Sequence, residues 1–112
     1  MHEKDVINIK DCLFAIEKIN KYLSDINSEE EFFSDIETYD AVLMNFIVIS
    51  EACGRLSNDL KEENKKIEWK KIKGFRNLIA HDYFGLDVRE IWSIIIKYLP
   101  SLKLDLERIV NS

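Results

Sequence analysis

Arg76, Asn77 and His81 lie close together in the segment R-N-L-I-A-H-D-Y, and their residue types suit phosphodiester chemistry. An imidazole, which titrates near neutral pH, can take a proton from a ribose 2′-hydroxyl or give one to a leaving 5′-oxygen. A guanidinium donates to two phosphate oxygens at once and stabilises charge that develops in the transition state. We therefore predict that Arg76 and His81 are catalytic and that Asn77 supports them by orienting the ring or binding phosphate. This chemistry needs no metal ion and the sequence has no metal-ligand spacing, so we expect neither a metal nor another cofactor.

Helical spacing predicts which side chains of this segment are open to solvent. At about 100° per residue, four apolar positions share an arc of roughly 120° that we expect to face the core, namely Ile72, Phe75, Leu78 and Ile79. Arg76, Asn77 and His81 fall on the other side of such a helix. Gly74 and Ala80 lie beside them and leave space above the helix.

Arg76 and His81 also have a simpler interpretation, because such pairs arise in many helices. A histidine in the last turn is favoured by the helix dipole, and an exposed arginine commonly forms an ion pair. If the pair is catalytic, one imidazole does not easily act as both acid and base. We therefore expect a two-fold dimer that brings a second Arg76 and His81 to the same cleft.

The charges are unevenly distributed along the chain. A net charge of −5 argues against sequence-blind binding of nucleic acid through phosphate neutralisation. Residues 28–40 contain six acids and no base, whereas residues 65–76 contain six bases and one acid. The basic segment either steers anions toward the site, with Lys73 supporting it by binding phosphate, or is an ordinary solvated face.

Two long helices joined by a short one are predicted for the first half of the chain. Apolar residues at spacings of three or four from Val6 to Ile26 indicate the first helix. Ser28 to Glu31 fits a capping box, which predicts a short helical turn near 29–34. Ser34 to Glu37 repeats the pattern and predicts the start of a long helix over 36–62.

The second half is predicted to contain three further helical pieces. Residues 62–66 form a charged linker, and Ile67 to His81 form the third major helix, which Gly85 separates from the next one. Asp87 to Glu90 is another capping box that opens a helix, and Pro100 suits the first turn of the last one. Five helical pieces with short joints predict an up-and-down bundle.

The long central helix has a segment, Ala41 to Ile49, that is apolar almost all round, so we expect other helices or a second subunit to enclose it. Asn45 interrupts this segment, and either packs against backbone or its dimer counterpart, or supports the site. Glu51 and Arg55 are spaced as an i, i+4 ion pair. Their roles beyond that stay open.

Composition indicates one all-α domain spanning residues 1–112. Hydrophobic residues make up 46% of the chain, while one proline and three glycines are too few for the turns of a β-sandwich. The first residues carry mixed charges without an apolar core, so we expect no signal peptide, and no apolar run is long enough to span a membrane. Cys12 and Cys53 lack the spacing of a metal or redox motif. We expect them to be packed free thiols of a cytoplasmic protein.

The segment G-F-R-N-L-I-A-H-D-Y-F-G-L-D, followed by I-W-S-I-I-I-K-Y-L-P-S-L, resembles the signature of the HEPN superfamily in its HepT-type branch. That signature is an arginine, four to six residues and a histidine, with a tyrosine two positions after the histidine. The resemblance extends over nearly the whole chain, including S-E-A-C-G-R-L and I-E-W-K-K-I-K-G.

The resemblance implies a helical-bundle homodimer that acts as a metal-independent endoribonuclease, the toxin of a toxin–antitoxin pair. Its implied partners are RNA and a minimal nucleotidyltransferase antitoxin that attaches AMP to the motif tyrosine. Carried over by position, it implies Arg76 and His81 as catalytic, Asn77 as supporting and Tyr83 as the adenylylated residue. Relatives often carry a basic residue where this chain has Tyr39 and Asp40, so we assign those two a structural role.

Two other functions stay open. The first is a catalytically silent dimer that presents nucleotide or substrate to a nucleotidyltransferase, in which Tyr83 and the acidic face matter and His81 does not. The second is a purely structural bundle. Cleavage of RNA with and without the partner distinguishes the nuclease from the two functions that involve no cleavage.

Overall fold

The computed structural model describes residues 1–112 and contains helices and no β-strand, which confirms the all-α prediction. The chain contains seven α-helices in the order α1 (Glu3–Tyr22), α2 (Glu29–Ser34), α3 (Ile36–Gly54), α4 (Asn58–Glu63), α5 (Trp69–His81), α6 (Val88–Ser93) and α7 (Leu99–Val110). A 3-10 turn, Tyr83–Gly85, comes after α5, and a π-helical segment, Ile94–Tyr98, joins α6 to α7. None of the helices is both long and apolar enough to cross a membrane.

Helices α1 and α3 pack against each other along their length and form the centre of the core. They run antiparallel, because Asp5 contacts Ser57 at one end and Cys12 contacts Cys53 further along. Helices α5 and α7 then cover the flanks, α5 against α3 and α7 against α1. The resulting core is one cluster of buried apolar side chains whose largest fully buried members include Phe32, Ile9, Ile16 and Leu43.

The predicted long helix over 36–62 is wrong, because the chain breaks it into α3 and α4. Ser57 begins α4 as its N-cap, and its hydroxyl accepts a hydrogen bond from the Leu60 amide. Asp5 of α1 is buried beside it and accepts hydrogen bonds from the Ser57 amide at 2.8 Å and the Ser57 hydroxyl at 2.6 Å. These tertiary contacts redirect the chain after Gly54, and spacing along the sequence could not reveal them.

The capping predictions are partly correct. Ser28 caps α2 by accepting a hydrogen bond from the Glu31 amide. In the usual capping box the glutamate accepts from the amide of the cap residue, but here Glu31 accepts from the Asn27 amide, one residue before the cap. At the start of α3 the cap is Asp35, whose carboxylate accepts from the Thr38 amide, and not Ser34 as predicted. Asp87 caps α6 as expected.

The last two predicted helices are present as α6 and α7, and Pro100 lies in the first turn of α7 as predicted, but the π-helical segment joins them without a loop. Pro100 has no amide hydrogen to donate, and its ring would clash with the carbonyl four residues earlier in an ideal α-helix. The π-helical turn over Ile94–Tyr98 widens the backbone just before Pro100, so the run continues into α7 without a break.

Helix α5 begins at Trp69, two residues later than predicted, and ends at His81 as predicted. Ile72 and Ile79 are buried, and the ring of half-buried Phe75 packs edge-on against Phe46 with centroids 5.1 Å apart. Leu78, predicted to face the core, is instead 42% exposed. It lies at the edge of the predicted arc and lines an open cavity together with Phe46 and Ile49 of α3.

Cys12 and Cys53 are buried free thiols, as predicted, although their sulfur atoms lie 3.5 Å apart. The Sγ atom of Cys12 also contacts the Ile49 carbonyl. Hydrogen bonding between the two thiols, together with burial, raises the pKa of Cys12 far above its ordinary value. Both cysteines therefore act as packing residues of the α1–α3 interface.

Candidate active site

Arg76 lies on the part of α5 that faces α3, where its side chain is 38% exposed. Its Nη2 atom is 3.6 Å from Oε1 of Glu51 on α3. The predicted pairing of Glu51 with Arg55 is wrong, because Arg55 turns the other way and donates from Nε to the Asn8 side chain at 3.0 Å. Glu51 thus pairs with the guanidinium of Arg76 at the surface and leaves its other N–H groups open to a ligand.

His81 is the last residue of α5, and its side chain is exposed. Lys73 and Asn77 are exposed on the same helix. None of these three side chains makes a hydrogen bond or an ion pair within the chain. A group that is exposed and free of internal partners is available to a substrate, and the roles of these three residues stay predictions.

The prediction that Arg76 and His81 share one open face of α5 is wrong, because the two side chains do not point in the same direction. Five residues along an α-helix correspond to a rotation of about 140° and a rise of roughly 7.5 Å. Arg76 is turned toward α3, whereas His81 stands at the open end of α5. A substrate that touches both groups therefore has to bend over the end of α5 or take one of the two from another subunit.

Tyr83 lies on the 3-10 turn just beyond α5, and its hydroxyl donates a hydrogen bond to the Asp40 carboxylate on α3. This hydrogen bond, with smaller contributions from burial and the charge of Asp40, raises the pKa of Tyr83 to about 12. Its ring packs edge-on against Tyr39 and Phe84, with centroids 6.3 Å and 5.1 Å away. Phe84 itself is 98% exposed.

Asp40 is a site residue that the sequence prediction missed. Nothing in its local pattern points to α5, and its partner is 43 residues away in the chain, so the sequence predicts only a structural role. Tyr39, with the same predicted role, is indeed buried, and its ring packs against Phe32. Asn45 packs as its simpler interpretation predicts, since its amide donates to the Ala41 carbonyl of the same helix.

The outward face of α3 links these contacts. Positions at spacings of four, four, four and three form one exposed stripe, consisting of Ile36, Asp40, Met44, Val48 and Glu51. Asp40 contacts Tyr83 and Glu51 contacts Arg76, so the polar members connect to the candidate site. The apolar members lie between and beside them, with Met44 61% and Ile36 66% exposed.

Comparison with known families gives a match over most of the chain. The model of the family described as "Ribonuclease HepT-like" matches residues 13–109, a range that includes α3, α5 and the turn carrying Tyr83. No solved structure matches the chain significantly.

Several curated relatives match over nearly their full length. A protein of Thermococcus cleftensis named as a probable HepT ribonuclease is 34% identical over 101 residues, which cover 90% of this chain and 91% of the relative. A candidate RNase of Caldanaerobacter subterraneus is 31% identical, covering 92% of this chain and 88% of the relative. A candidate RNase of Methanocaldococcus jannaschii is 30% identical, covering 96% and 98%.

Proposed function

Because the chain belongs to the HepT-like ribonuclease family, we propose that it is a metal-independent endoribonuclease whose Arg76 and His81 form a composite site at a dimer cleft. One observation carries the proposal: an arginine and a histidine, both accessible to solvent, project from a single helix in a chain matched to this family. We further propose that it is the toxin of a toxin–antitoxin pair and is neutralised by adenylylation of Tyr83.

The cleavage follows from ordinary acid–base chemistry. His81 takes the proton of a ribose 2′-hydroxyl as the oxygen attacks the adjacent phosphorus. The bond from phosphorus to the 5′-oxygen breaks, and the partner subunit's His81 returns a proton to that leaving oxygen. Arg76 stabilises the added negative charge on the phosphoryl oxygens, and Asn77 and Lys73 bind neighbouring phosphate groups. The products are a 2′,3′-cyclic phosphate and a free 5′-hydroxyl.

The exposed stripe on α3 supports the dimer. Ile36, Met44 and Val48 present a row of apolar side chains to solvent, which is costly in an isolated subunit and typical of an interface. Packing this stripe against its copy around a two-fold axis would bring both sets of Arg76 and Tyr83 near one cleft, because Glu51 and Asp40 connect them to the same stripe. This arrangement would also supply the second histidine.

Adenylylation of Tyr83 would block such a cleft. The phenolic oxygen attacks the α-phosphorus of ATP, the bond to the β-phosphate oxygen breaks, and pyrophosphate leaves with its electrons. The phenolic proton passes to the Asp40 carboxylate, which already accepts the hydrogen bond from this hydroxyl. The attached nucleotide adds bulk and negative charge two residues from His81, and so repels an RNA phosphate.

The proposal is tested by incubating the purified protein with varied RNAs in the presence of a chelator and identifying the product ends. We expect cleavage with cyclic phosphate ends, and a loss of on the order of 100-fold or more in Arg76→Ala. Arg89→Ala, which removes an exposed arginine from α6, is the matched control and should cleave like the wild type. Cleavage that requires a metal ion, or that survives Arg76→Ala, would reject the proposed chemistry.

The alternative, a catalytically silent dimer that assists a nucleotidyltransferase, has one observation in its favour. Phe84 is almost fully exposed beside Tyr83, the residue proposed to be modified. Exposed aromatic side chains are enriched in surfaces that bind other proteins. If this alternative holds, Phe84→Ser weakens association with the nucleotidyltransferase, while the wild-type chain leaves RNA intact with or without that partner.

A further inference from the structure

A concave, basic surface lies next to the candidate site. It is formed by the end of α3, by α4, by the loop after α4 and by the first half of α5, and encloses about 630 Å³. Five lysines and two glutamates line it, so its net charge is +3, although the whole chain carries −5. We call this surface the basic groove.

Two lysines of the basic groove are already neutralised. Lys65 pairs with Glu62 at 3.1 Å, and Lys71 pairs with Glu68 at 2.7 Å. Lys70 and Lys73 are exposed on α5 and make no ion pair. Lys61 of α4 makes no ion pair either, but its ammonium group donates to the Gly54 carbonyl at 3.4 Å. Two of the three unpaired lysines of the basic groove therefore lie on the helix that carries Arg76 and His81.

The free lysines continue directly into the candidate site. Lys70, Lys73, Asn77 and His81 recur at spacings of three, four and four, so they form one exposed stripe along α5. The stripe is about 16 Å long from Lys70 to His81. A polyanion that is bound at His81 and extends along this stripe would therefore contact the side-chain amide of Asn77 and then the unpaired ammonium groups of Lys73 and Lys70.

Trp69 adds an aromatic surface at the far end of the stripe. Its side chain lines the basic groove and is half-buried, and its indole N–H donates to the Asn64 carbonyl at 3.2 Å. This hydrogen bond fixes the orientation of the ring. A fixed aromatic ring beside free cations is the combination that binds single-stranded nucleic acid, with bases stacking and phosphates paired.

We propose that the basic groove binds single-stranded RNA next to the cleavage site, with Lys70 and Lys73 on successive phosphates and Trp69 stacked on a base. The inference rests on the proposed RNA substrate. It adds that this RNA is single-stranded and that it runs along the basic groove. A duplex keeps its bases stacked inside the helix, where Trp69 could not reach them, and is recognised mainly through its shape and backbone.

Equilibrium binding of a labelled 2′-O-methyl RNA of about 12 nucleotides tests the proposal across a range of salt concentrations. Lys70→Gln and Lys73→Gln should each reduce the slope of log affinity against log salt by about 0.7. Lys97→Gln makes the same charge change at an exposed lysine outside the basic groove and should leave the slope unchanged. Trp69→Leu should weaken binding about fivefold to a hundredfold, and Trp69→Phe should restore much of it.

This probe separates the inference from the proposed nuclease activity. The 2′-O-methyl strand lacks the attacking hydroxyl, so its binding is measured whether or not the protein cleaves RNA. Tight, lysine-dependent binding without cleavage of ordinary RNA would support the basic groove and reject the nuclease. Unchanged salt slopes in both lysine variants, equal affinity for a duplex, or equally effective competition by polyglutamate would each overturn the inference, the last by indicating an acidic protein as the partner.

Discussion

The carboxylate of Asp40 accepts a hydrogen bond from the hydroxyl of Tyr83, which ties the start of α3 to the turn immediately after α5. A second link, the ion pair of Glu51 with Arg76, joins α3 to α5 itself further along. The outward face of α3 therefore contacts both the candidate catalytic arginine and the candidate modification site, although it carries neither.

Replacing Asp40 tests the first of these links. The pKa of Tyr83 is raised to about 12, chiefly because the Asp40 carboxylate accepts a hydrogen bond from the Tyr83 hydroxyl. Asp40→Asn keeps an acceptor but removes the charge, so the pKa of Tyr83 should fall toward the ordinary tyrosine value of about 10. The measurement is an alkaline NMR titration of protein labelled at the tyrosine ring carbon next to the hydroxyl, with Tyr83→Phe to assign the signal.

The same shift has a consequence for stability at high pH. Because the folded pKa is raised, the stabilisation from this hydrogen bond is complete below about pH 10 and is lost as the pH rises through about 12.

For the NMR titration of Tyr83, Glu37→Gln is the control. It alters an exposed acid in the first turn of α3 and should leave the titration of Tyr83 unchanged. An unaltered Tyr83 titration in Asp40→Asn would show that the contact does not persist in solution.

Glu51→Gln should free the guanidinium of Arg76. Both side chains are more than one third exposed, so the ion pair contributes at most about 1 kcal/mol to the free energy of unfolding. Removing the competing carboxylate should raise kcat/KM for RNA cleavage by up to about fivefold, because Arg76 then binds phosphate without first leaving Glu51. Steady-state kinetics beside Glu37→Gln measure this, and a fall in kcat/KM would show instead that Glu51 holds Arg76 in its active position.

Asp5→Asn should destabilise the fold at neutral pH by about 1–3 kcal/mol, since it weakens the two hydrogen bonds that Asp5 accepts from Ser57. Burial alone would raise the pKa of Asp5, but those hydrogen bonds prevail and lower it. A lowered folded pKa means that the stabilisation is present above about pH 4 and is lost as the pH falls through the folded pKa.

Urea unfolding of the wild type and Asp5→Asn at a series of pH values measures this effect. The difference in the free energy of unfolding between the wild type and Asp5→Asn should disappear as the solution becomes acidic. Asp11→Asn, an exposed substitution on the same helix, should change stability little at any pH. If the difference in the free energy of unfolding stays constant down to strongly acid pH, the carboxylate charge of Asp5 does not stabilise the α1–α4 contact.

Local patterns in the sequence are sufficient to predict much of the fold. The apolar spacing of α1, the Ser28 cap of α2 and the end of α5 at His81 are all properties of consecutive residues, and each is predicted correctly. The exposure of His81 follows from the same helical periodicity, whereas Arg76 is turned toward α3 by its ion pair with Glu51. Such features depend on energies that act within one or two helical turns.

The features that sequence reasoning misses depend on contacts between distant segments. The break after Gly54 needs Asp5 from α1 to hold Ser57, and the fusion of the last two helices needs a π-helical turn that relieves Pro100. Asp40 becomes a site residue only when the fold brings it to Tyr83. Spacing along the chain carries no signal for such pairs, because each partner has an ordinary local pattern.

The imidazole of His81 is proposed to cleave RNA, and the chain offers its own control because it contains one other histidine, His2, outside the candidate site. The decisive measurement compares RNA cleavage, in the presence of a chelator, by the wild type, His81→Ala and His2→Ala, with thermal unfolding of all three. We expect cyclic phosphate ends from the wild type and His2→Ala, and a loss of on the order of 100-fold or more in a folded His81→Ala. Equal cleavage by His81→Ala would show that His81 is not catalytic, and no cleavage of varied RNAs by the folded wild type would show that the protein is not a ribonuclease.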